Sequence, residues 1–131
     1  MLGLQGTRLD SAMIYDARCG LGSFSPLFNP FTYNPHKAYY AFKAFNELYR
    51  RGREVAVRAD LPSGVWAVAA GTPEDGAFVI ANATPTALPI ALAFSSGRAA
   101  TCRLTDERHT YETVPLPTSL PAHSFLLVLT K

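Results

Sequence analysis

Apolar and polar positions change their pattern near residue 52, which divides the chain into an N-terminal part, 1–52, and a C-terminal part, 53–131. In the C-terminal part, short apolar runs alternate with turn residues, the pattern of an antiparallel β-sandwich. The predicted strands are 54–59, 65–70, 77–82, 88–94, 99–104, 111–114 and 124–130. We therefore predict a mainly β fold of about seven strands in two sheets, preceded by one amphipathic helix that packs on it.

Some strand neighbours can be predicted as well. The run 72–76 (TPEDG) is typical of a tight reversal, so 65–69 and 77–81 should pair as a hairpin. The last strand, 124–130, contains the unbroken apolar run FLLVL and lacks the alternation of a half-exposed strand. We expect it at the centre of a sheet, with both faces covered.

One helix is predicted over residues 36–51. Asn34 suits the N-cap, Pro35 suits the first helical position, and Gly52 suits the position just past the end. The apolar residues of this stretch are Ala38, Tyr39, Tyr40, Ala41, Phe42, Phe45, Leu48 and Tyr49. They follow helical spacing but cover more than one stripe, so the helix should be covered on more than one side. One small sheet does not easily do that, which indicates a further neighbour.

The residues before the helix are less regular. Residues 11–16 (SAMIYD) are typical of a buried strand and 19–25 of a Gly/Ser-rich loop. Residues 26–35 (PLFNPFTYNP) predict an ordered, turn-rich connector, because proline fixes φ and removes a backbone donor. A strand without a pairing partner in the first fifty residues is a second indication of a neighbour.

Composition narrows the class of protein. The 131 residues are 48% hydrophobic and carry a net charge of +2, which favours one globular unit and excludes a disordered chain. The basic cluster Arg50, Arg51 and Arg53 lies where the helix should end, so it complements the helix dipole and gives no case for nucleic acid. No apolar segment is long enough to span a membrane. If Met1 is the natural start, the lack of a leader predicts an intracellular protein.

No motif predicts a metal, a cofactor or catalytic residues. His36, His109 and His123 are scattered and lack the spacing of metal sites, so each is interpreted as a solvated surface histidine. Cys19 and Cys102 have no partner motif, and reduced structural thiols are the simpler interpretation. The acidic residues Glu74, Asp75 and Asp106 lie in turns, where Asp and Glu are soluble turn formers.

Two places are candidates for ligand contact. Tyr15 and Asp16 end the predicted first strand just before a long loop, which in an α/β barrel is the rim of the active site. The alternative is that Asp16 caps its own loop while Tyr15 packs locally. Trp66, the single tryptophan, could stack on a sugar ring, but its place in an apolar strand favours the core.

Three segments together resemble a known group of proteins: 12–18 (AMIYDAR), 27–29 (LFN) and 37–51 (KAYYAFKAFNELYRR). They are similar to the end of the catalytic barrel in clan A glycoside hydrolases, especially the bacterial family-thirty-nine xylosidase/iduronidase group. There, a last barrel strand ending in Tyr-Asp leads through a loop into a helix of this type, and a small β-sandwich follows. The resemblance implies that Tyr15 and Asp16 are a rim element and that helix 36–51 is the eighth barrel helix.

The resemblance does not extend to catalysis. The two catalytic glutamates of that group lie on earlier barrel strands, which nothing in this sequence matches, and a barrel needs roughly 200–250 residues. It therefore implies a non-catalytic C-terminal segment of a glycosidase, with the missing N-terminal barrel as its partner. One alternative is a free-standing carbohydrate- or protein-binding β-sandwich. Another route to covering helix 36–51 is self-association through that helix.

Overall fold

The computed structural model describes residues 1–5, 7–9, 11–13, 26–72, 74–94 and 99–131. These residues include a short 3-10 helix, Leu2–Leu4, and an α-helix, α1, Lys37–Arg51. The strands are β1 (Glu54–Val55), β2 (Val65–Gly71), β3 (Gly76–Asn82), β4 (Leu88–Pro89), β5 (Ala99–Thr105), β6 (Glu112–Val114), β7 (Ser119–Leu120) and β8 (Ser124–Thr130). Within the same ranges, no helix has the length and apolar character needed to cross a membrane.

The strands of the described residues form two antiparallel sheets, which confirms the predicted mainly β fold. The larger sheet has six strands in the order β1-β2-β3-β8-β5-β6, and the smaller one pairs β4 with β7. β2 and β3 form the predicted hairpin, with Val65 opposite Asn82 and Gly71 opposite Gly76. The two layers are therefore unequal, one broad sheet and one short ribbon.

Strand β8 lies at the centre of the broad sheet, as its apolar run predicts. It pairs with β3 along its whole length and with β5 on its other edge. Leu126, Leu127 and Val128 are completely buried. Because successive side chains point to opposite faces, Leu126 and Val128 belong to one core and Leu127 to the other.

The first core lies between the broad sheet and the short ribbon. Phe78, Ile80 and Leu104 join Leu126 and Val128 on this face of the sheet. The cover consists of Leu61, Leu88, Ile90, Leu92, Phe94 and Leu120. Apolar residues of the connection between β4 and β5 therefore complete the second layer of the sandwich.

The second core lies between the broad sheet and α1, which contacts β2 and β3. Ala44 and Leu48, four residues apart and so on one side of the helix, are buried in one cluster with Ala77, Val79 and Leu127. The small side chains of Ala44 and Ala77 let helix and sheet approach closely. The predicted packing of an amphipathic helix on the sandwich is thereby confirmed.

Two predicted strands are much shorter than their apolar patterns. In the segment 54–59 only β1 pairs, because Ala56 to Asp60 are exposed and have no core to face. In the segment 88–94 only β4 pairs; beyond Pro89, the Ile90 amide still donates to Thr118, but no further ladder forms. Strand β7 was not predicted, because it has only two residues, is followed by a proline and shows no alternation.

The start of the helix also differs from its prediction. His36, rather than Asn34, occupies the N-cap, and α1 begins at Lys37 without a side-chain cap. Asn34 and Pro35 are held instead by backbone pairing with the preceding segment, which keeps them extended. At the other end Gly52 stops the helix as predicted, with φ of 72° and its N–H donated to Tyr49.

The predicted buried strand 11–16 is wrong in its described part. Residues 11–13 are exposed and belong to no strand. Residues 14–16 lie outside the described residues, as does the loop 19–25.

Candidate functional site

The candidate rim residues Tyr15 and Asp16 lie outside the described residues, and so does Cys19. Their predicted roles therefore stay predictions. Cys102, the other cysteine, is a buried free thiol on β5, and burial raises its pKa. It belongs to the core between the sheets, as expected of a structural cysteine.

Trp66 is not a core residue, so the interpretation that its place in an apolar strand buries it in the core is wrong. It is 41% exposed, although it shares its face of β2 with Val68 and Ala70. The cover it has comes from the N-terminal 3-10 helix: a Cβ on Gly3 would lie 2.9 Å from the indole Cε2 and Nε1. Trp66 thus remains a candidate for sugar stacking, with one part of its ring system against Gly3.

The three histidines lie at separate places in the fold. His36 caps α1 and His123 precedes β8, and both are exposed. His109 is not a free surface histidine, because its Nδ1 lies 2.9 Å from Oδ1 of Asp106. In the part of the chain that the structure describes, no three His, Cys, Asp or Glu residues are grouped as a metal site would require.

Asp106 is more than a soluble turn former. Its buried carboxylate accepts the backbone N–H of Arg108 at 2.8 Å and that of His109 at 2.6 Å. Burial favours the neutral acid, but these N–H groups and the His109 ring outweigh it and lower the pKa of Asp106. Lys37 of α1 donates to the main-chain oxygens of Asp106 and Glu107, which ties this turn to the start of the helix.

Two strongly exposed aromatic residues lie on the segment that was predicted only as a turn-rich connector. Residues 27–36 form a tight hairpin: the Asn29 amide donates to the Asn34 carbonyl, and the His36 amide donates to the Leu27 carbonyl. Phe31 and Tyr33 stand at its tip, 75% and 74% exposed. The proline-rich sequence has neither helical nor strand periodicity, so only the backbone pairing reveals this hairpin.

A row of aromatic rings leads from the hairpin to the sheet. Phe28 lies 5.3 Å from Tyr39, Tyr39 lies 5.3 Å from Tyr40, and Tyr40 stacks on Tyr111 at 5.2 Å. Lys43 and Arg103 both lie 5.2 Å from the centroid of the Tyr111 ring. Burial and the nearby Glu47 carboxylate raise the pKa of Tyr111 against the opposing effect of Arg103. The row explains how the helix orients the hairpin relative to the sandwich.

The end of α1 is fixed to the sheet by charge. Arg51 contacts Glu47 on its own helix at 2.8 Å and Asp75 of the β2–β3 turn at 2.6 Å. The basic residue at the helix terminus therefore has a structural partner, in agreement with its interpretation as a helix-end residue. Tyr49, two residues earlier, is 77% exposed.

No protein-family model matches the chain, and no curated protein sequence matches it. Among solved structures, it is similar to a GH30 endoxylanase from Clostridium papyrosolvens, with a TM-score of 0.63 and 19% identity over 79% of this chain. It is also similar to a glycoside hydrolase family 30 subfamily 8 xylanase from Clostridium acetobutylicum, with a TM-score of 0.65 and 15% identity over 81% of this chain. For a conserved exported protein from Bacteroides fragilis, the TM-score is 0.51 and the identity 14% over 59% of this chain.

At these identities the likeness establishes the fold. This chain spans 30% of the length of each xylanase and 18% of the length of the Bacteroides fragilis protein. The fold of this chain therefore occurs as one part of larger glycoside hydrolases.

Proposed function

We propose that the chain is a non-catalytic, C-terminal segment of a glycosidase, in which the sandwich supports the last helix of a catalytic barrel. The observation that carries this proposal is a second apolar side of α1. That side consists of Ala38, Phe42, Phe45 and Tyr49. Intervals of four, three and four residues place them along one side of the helix. Ala44 and Leu48, which face the sheet, lie on a different side.

The sandwich leaves much of this second side open to solvent. Tyr49 and Ala38 are exposed and Phe42 is half-buried, whereas Phe45 also touches the core beneath. An apolar patch of this kind marks a surface that another protein surface covers. In the proposed parent enzyme, the wall of the barrel covers it.

The xylanases of similar fold support a parent enzyme that acts on xylan or a related plant polysaccharide. The sequence resemblance to the family-thirty-nine group stays a prediction, since the similar solved structures belong to family 30. Tyr15 and Asp16 stay the predicted rim residues. We expect no hydrolysis by the chain alone, because the segments that carry the catalytic glutamates of that group have no counterpart in it.

Activity of the purified chain tests this expectation. Nitrophenyl β-xyloside and soluble xylan are the substrates, and a family 30 xylanase is the positive control. The expected result is no turnover above the buffer rate. Turnover that persists in an Asp16→Ala variant would contradict the proposal, because the chain would then hold an active site of its own.

Size-exclusion chromatography with light scattering tests the open side of α1. Without a barrel the isolated chain should associate with itself as its concentration rises, and Phe42→Ser with Tyr49→Ser should return it to a monomer. Val57→Ser, at an exposed valine that is not part of α1, is the control and should leave association unchanged. A wild-type chain that stays monomeric at high concentration would show that α1 needs no partner.

A second candidate function is a free-standing sugar- or protein-binding sandwich, and the exposure of Trp66 favours it. Titration with xylan and other glycans distinguishes the two. Saturable binding that is lost in Trp66→Ala, with the fold intact by circular dichroism, would favour the binding module over the barrel-supporting segment.

A further inference from the structure

We propose that the hairpin 27–36 is a sugar-binding contact, in which Phe31 and Tyr33 stack on pyranose rings of a neutral polysaccharide of the xylan type. This inference rests on the proposed function, because it names a substrate contact of the same enzyme. It assigns residues other than Trp66 and the predicted rim pair.

The hairpin is built to hold its tip rigidly. The side-chain oxygen of Asn29 accepts the backbone N–H groups of Phe31 and Thr32, each at 2.9 Å. The Tyr33 amide donates to the Asn29 carbonyl at 2.9 Å, and Tyr33 takes the left-handed φ of 58° that closes the turn. Both exposed rings therefore project from a backbone with few remaining degrees of freedom, which lowers the entropic cost of binding.

The base of the hairpin is anchored in the fold. Leu27 is buried, and the Phe28 ring packs against Tyr39 of α1. Pro30 and Pro35 restrict the backbone at either side of the tip. Because these anchors do not involve the two exposed rings, removal of either ring should leave the hairpin folded.

The chemistry of the tip favours a neutral ligand with apolar faces. Residues 26–35 contain no charged side chain, so the hairpin has no charge of its own with which to attract an acidic or basic partner. Phenylalanine offers only an apolar face, and tyrosine adds a hydroxyl that can bond at the edge of a ring. A pyranose has matching surfaces, with C–H groups on its faces and hydroxyls around its edge.

The position of the hairpin in the chain agrees with a substrate contact. It comes directly before α1, so in the proposed enzyme, where α1 is the last barrel helix, it belongs to the loop that leads into that helix. Such loops build the active-site face of α/β barrels. A rigid aromatic tip in this loop would contact a sugar unit beyond the cleavage site.

Nuclear magnetic resonance titration of the whole chain tests the inference. The probes are xylohexaose and, as a control ligand, the unrelated neutral oligosaccharide maltohexaose, with backbone amide shifts as the readout. We expect saturable shifts at residues 31–33 with a dissociation constant of about 1 mM. Phe31→Ala and Tyr33→Ala should each weaken binding about tenfold, and the double variant should abolish it.

Leu116→Ala is the control, because Leu116 is an exposed apolar residue that belongs to neither the hairpin nor α1. It should bind as the wild type does, and circular dichroism should show that every variant is folded. The inference is overturned if wild-type shifts do not saturate, if the double variant still binds, or if the shifts centre on Trp66. Equal binding of maltohexaose would overturn the xylan-type specificity.

The outcome is separable from that of the proposed function. Loss of binding in the hairpin variants would support the sugar contact even if α1 proved to need no barrel. Absence of binding would overturn the hairpin assignment and leave the helix-supporting role to its own tests.

Discussion

Replacement of Asn82 should destabilise the protein more than any single polar substitution on its surface. The side chain is 1% exposed at the end of β3. Its nitrogen donates to the carbonyls of Thr86 and Pro121 at 2.8 and 2.9 Å, and its oxygen accepts from the N–H and hydroxyl of Thr84 at 2.9 and 2.7 Å. One amide thus joins the connection leading to β4 with the turn between β7 and β8.

The magnitude follows from what Asn82→Ala leaves behind. The Thr84 hydroxyl and the Thr86 carbonyl keep their hydrogen bond to each other at 3.1 Å, so the loss of the amide costs little at these two groups. The partly buried Thr84 N–H loses its acceptor, which costs about 1–2 kcal/mol, whereas the Pro121 carbonyl keeps the Ser124 hydroxyl as a donor at 2.6 Å. Together with the lost packing, we expect a decrease of about 2 kcal/mol in the free energy of unfolding, or about 7 °C in Tm.

Urea denaturation followed by circular dichroism measures this change. The midpoint should fall while the slope stays constant, since the surface exposed on unfolding is unchanged. Asn46→Ala, at an exposed asparagine on α1, is the control and should be neutral or slightly stabilising because alanine is the better helix former. A decrease below about 1 kcal/mol for Asn82→Ala, or an equal decrease for both variants, would refute the assigned role of the amide.

Three further predictions concern other parts of the structure. Because the pKa of Asp106 is lowered, its carboxylate stabilises the fold fully above about pH 4, and this stabilisation is lost as the pH falls through the folded-state pKa. Thermal melts of Asp106→Asn should therefore show a weaker acid destabilisation than those of the wild type. Gly71 has φ of 121°, and a Cβ there would strike the Asp75 carbonyl. Urea titrations of Gly71→Ala should therefore show a loss of about 3 kcal/mol in the free energy of unfolding. Gly52→Ala, where a Cβ would meet open space, should lose about 1 kcal/mol. Arg51→Ala should lose about 1 kcal/mol at low salt, and a loss that does not shrink at high salt would argue against its ion pairs.

The sequence predicted the elements whose side chains bury in a core. β2, β3, β5 and β8 follow from apolar runs bounded by turn residues, and the central place of β8 follows from its lack of alternation. The short ribbon of β4 and β7 does not follow from such runs, because a two-residue strand such as β7 has no periodicity to detect. The strand predicted over 54–59 is too long, because an alternating pattern indicates a strand only where a core exists to receive its apolar side chains.

The candidate site was less predictable for a similar reason. The alternation of β2 places Trp66 on a face of the sheet, but it does not say whether a neighbour covers that face. The hairpin 27–36 depends on the Asn29 side chain and on two backbone pairings, none of which leaves a repeating pattern in the sequence. The second apolar side of α1 was visible in the sequence as an excess of aromatic residues, and its exposure is the feature on which the proposed function depends.

The coding sequence immediately upstream of the Met1 codon tests the central claim most directly. If the chain is the sandwich-bearing segment of a glycosidase, translation of that sequence should give a βα-repeat barrel with two glutamates at the ends of separate strands, either in frame or in an adjacent gene. An upstream region that encodes no such barrel would contradict the proposed function.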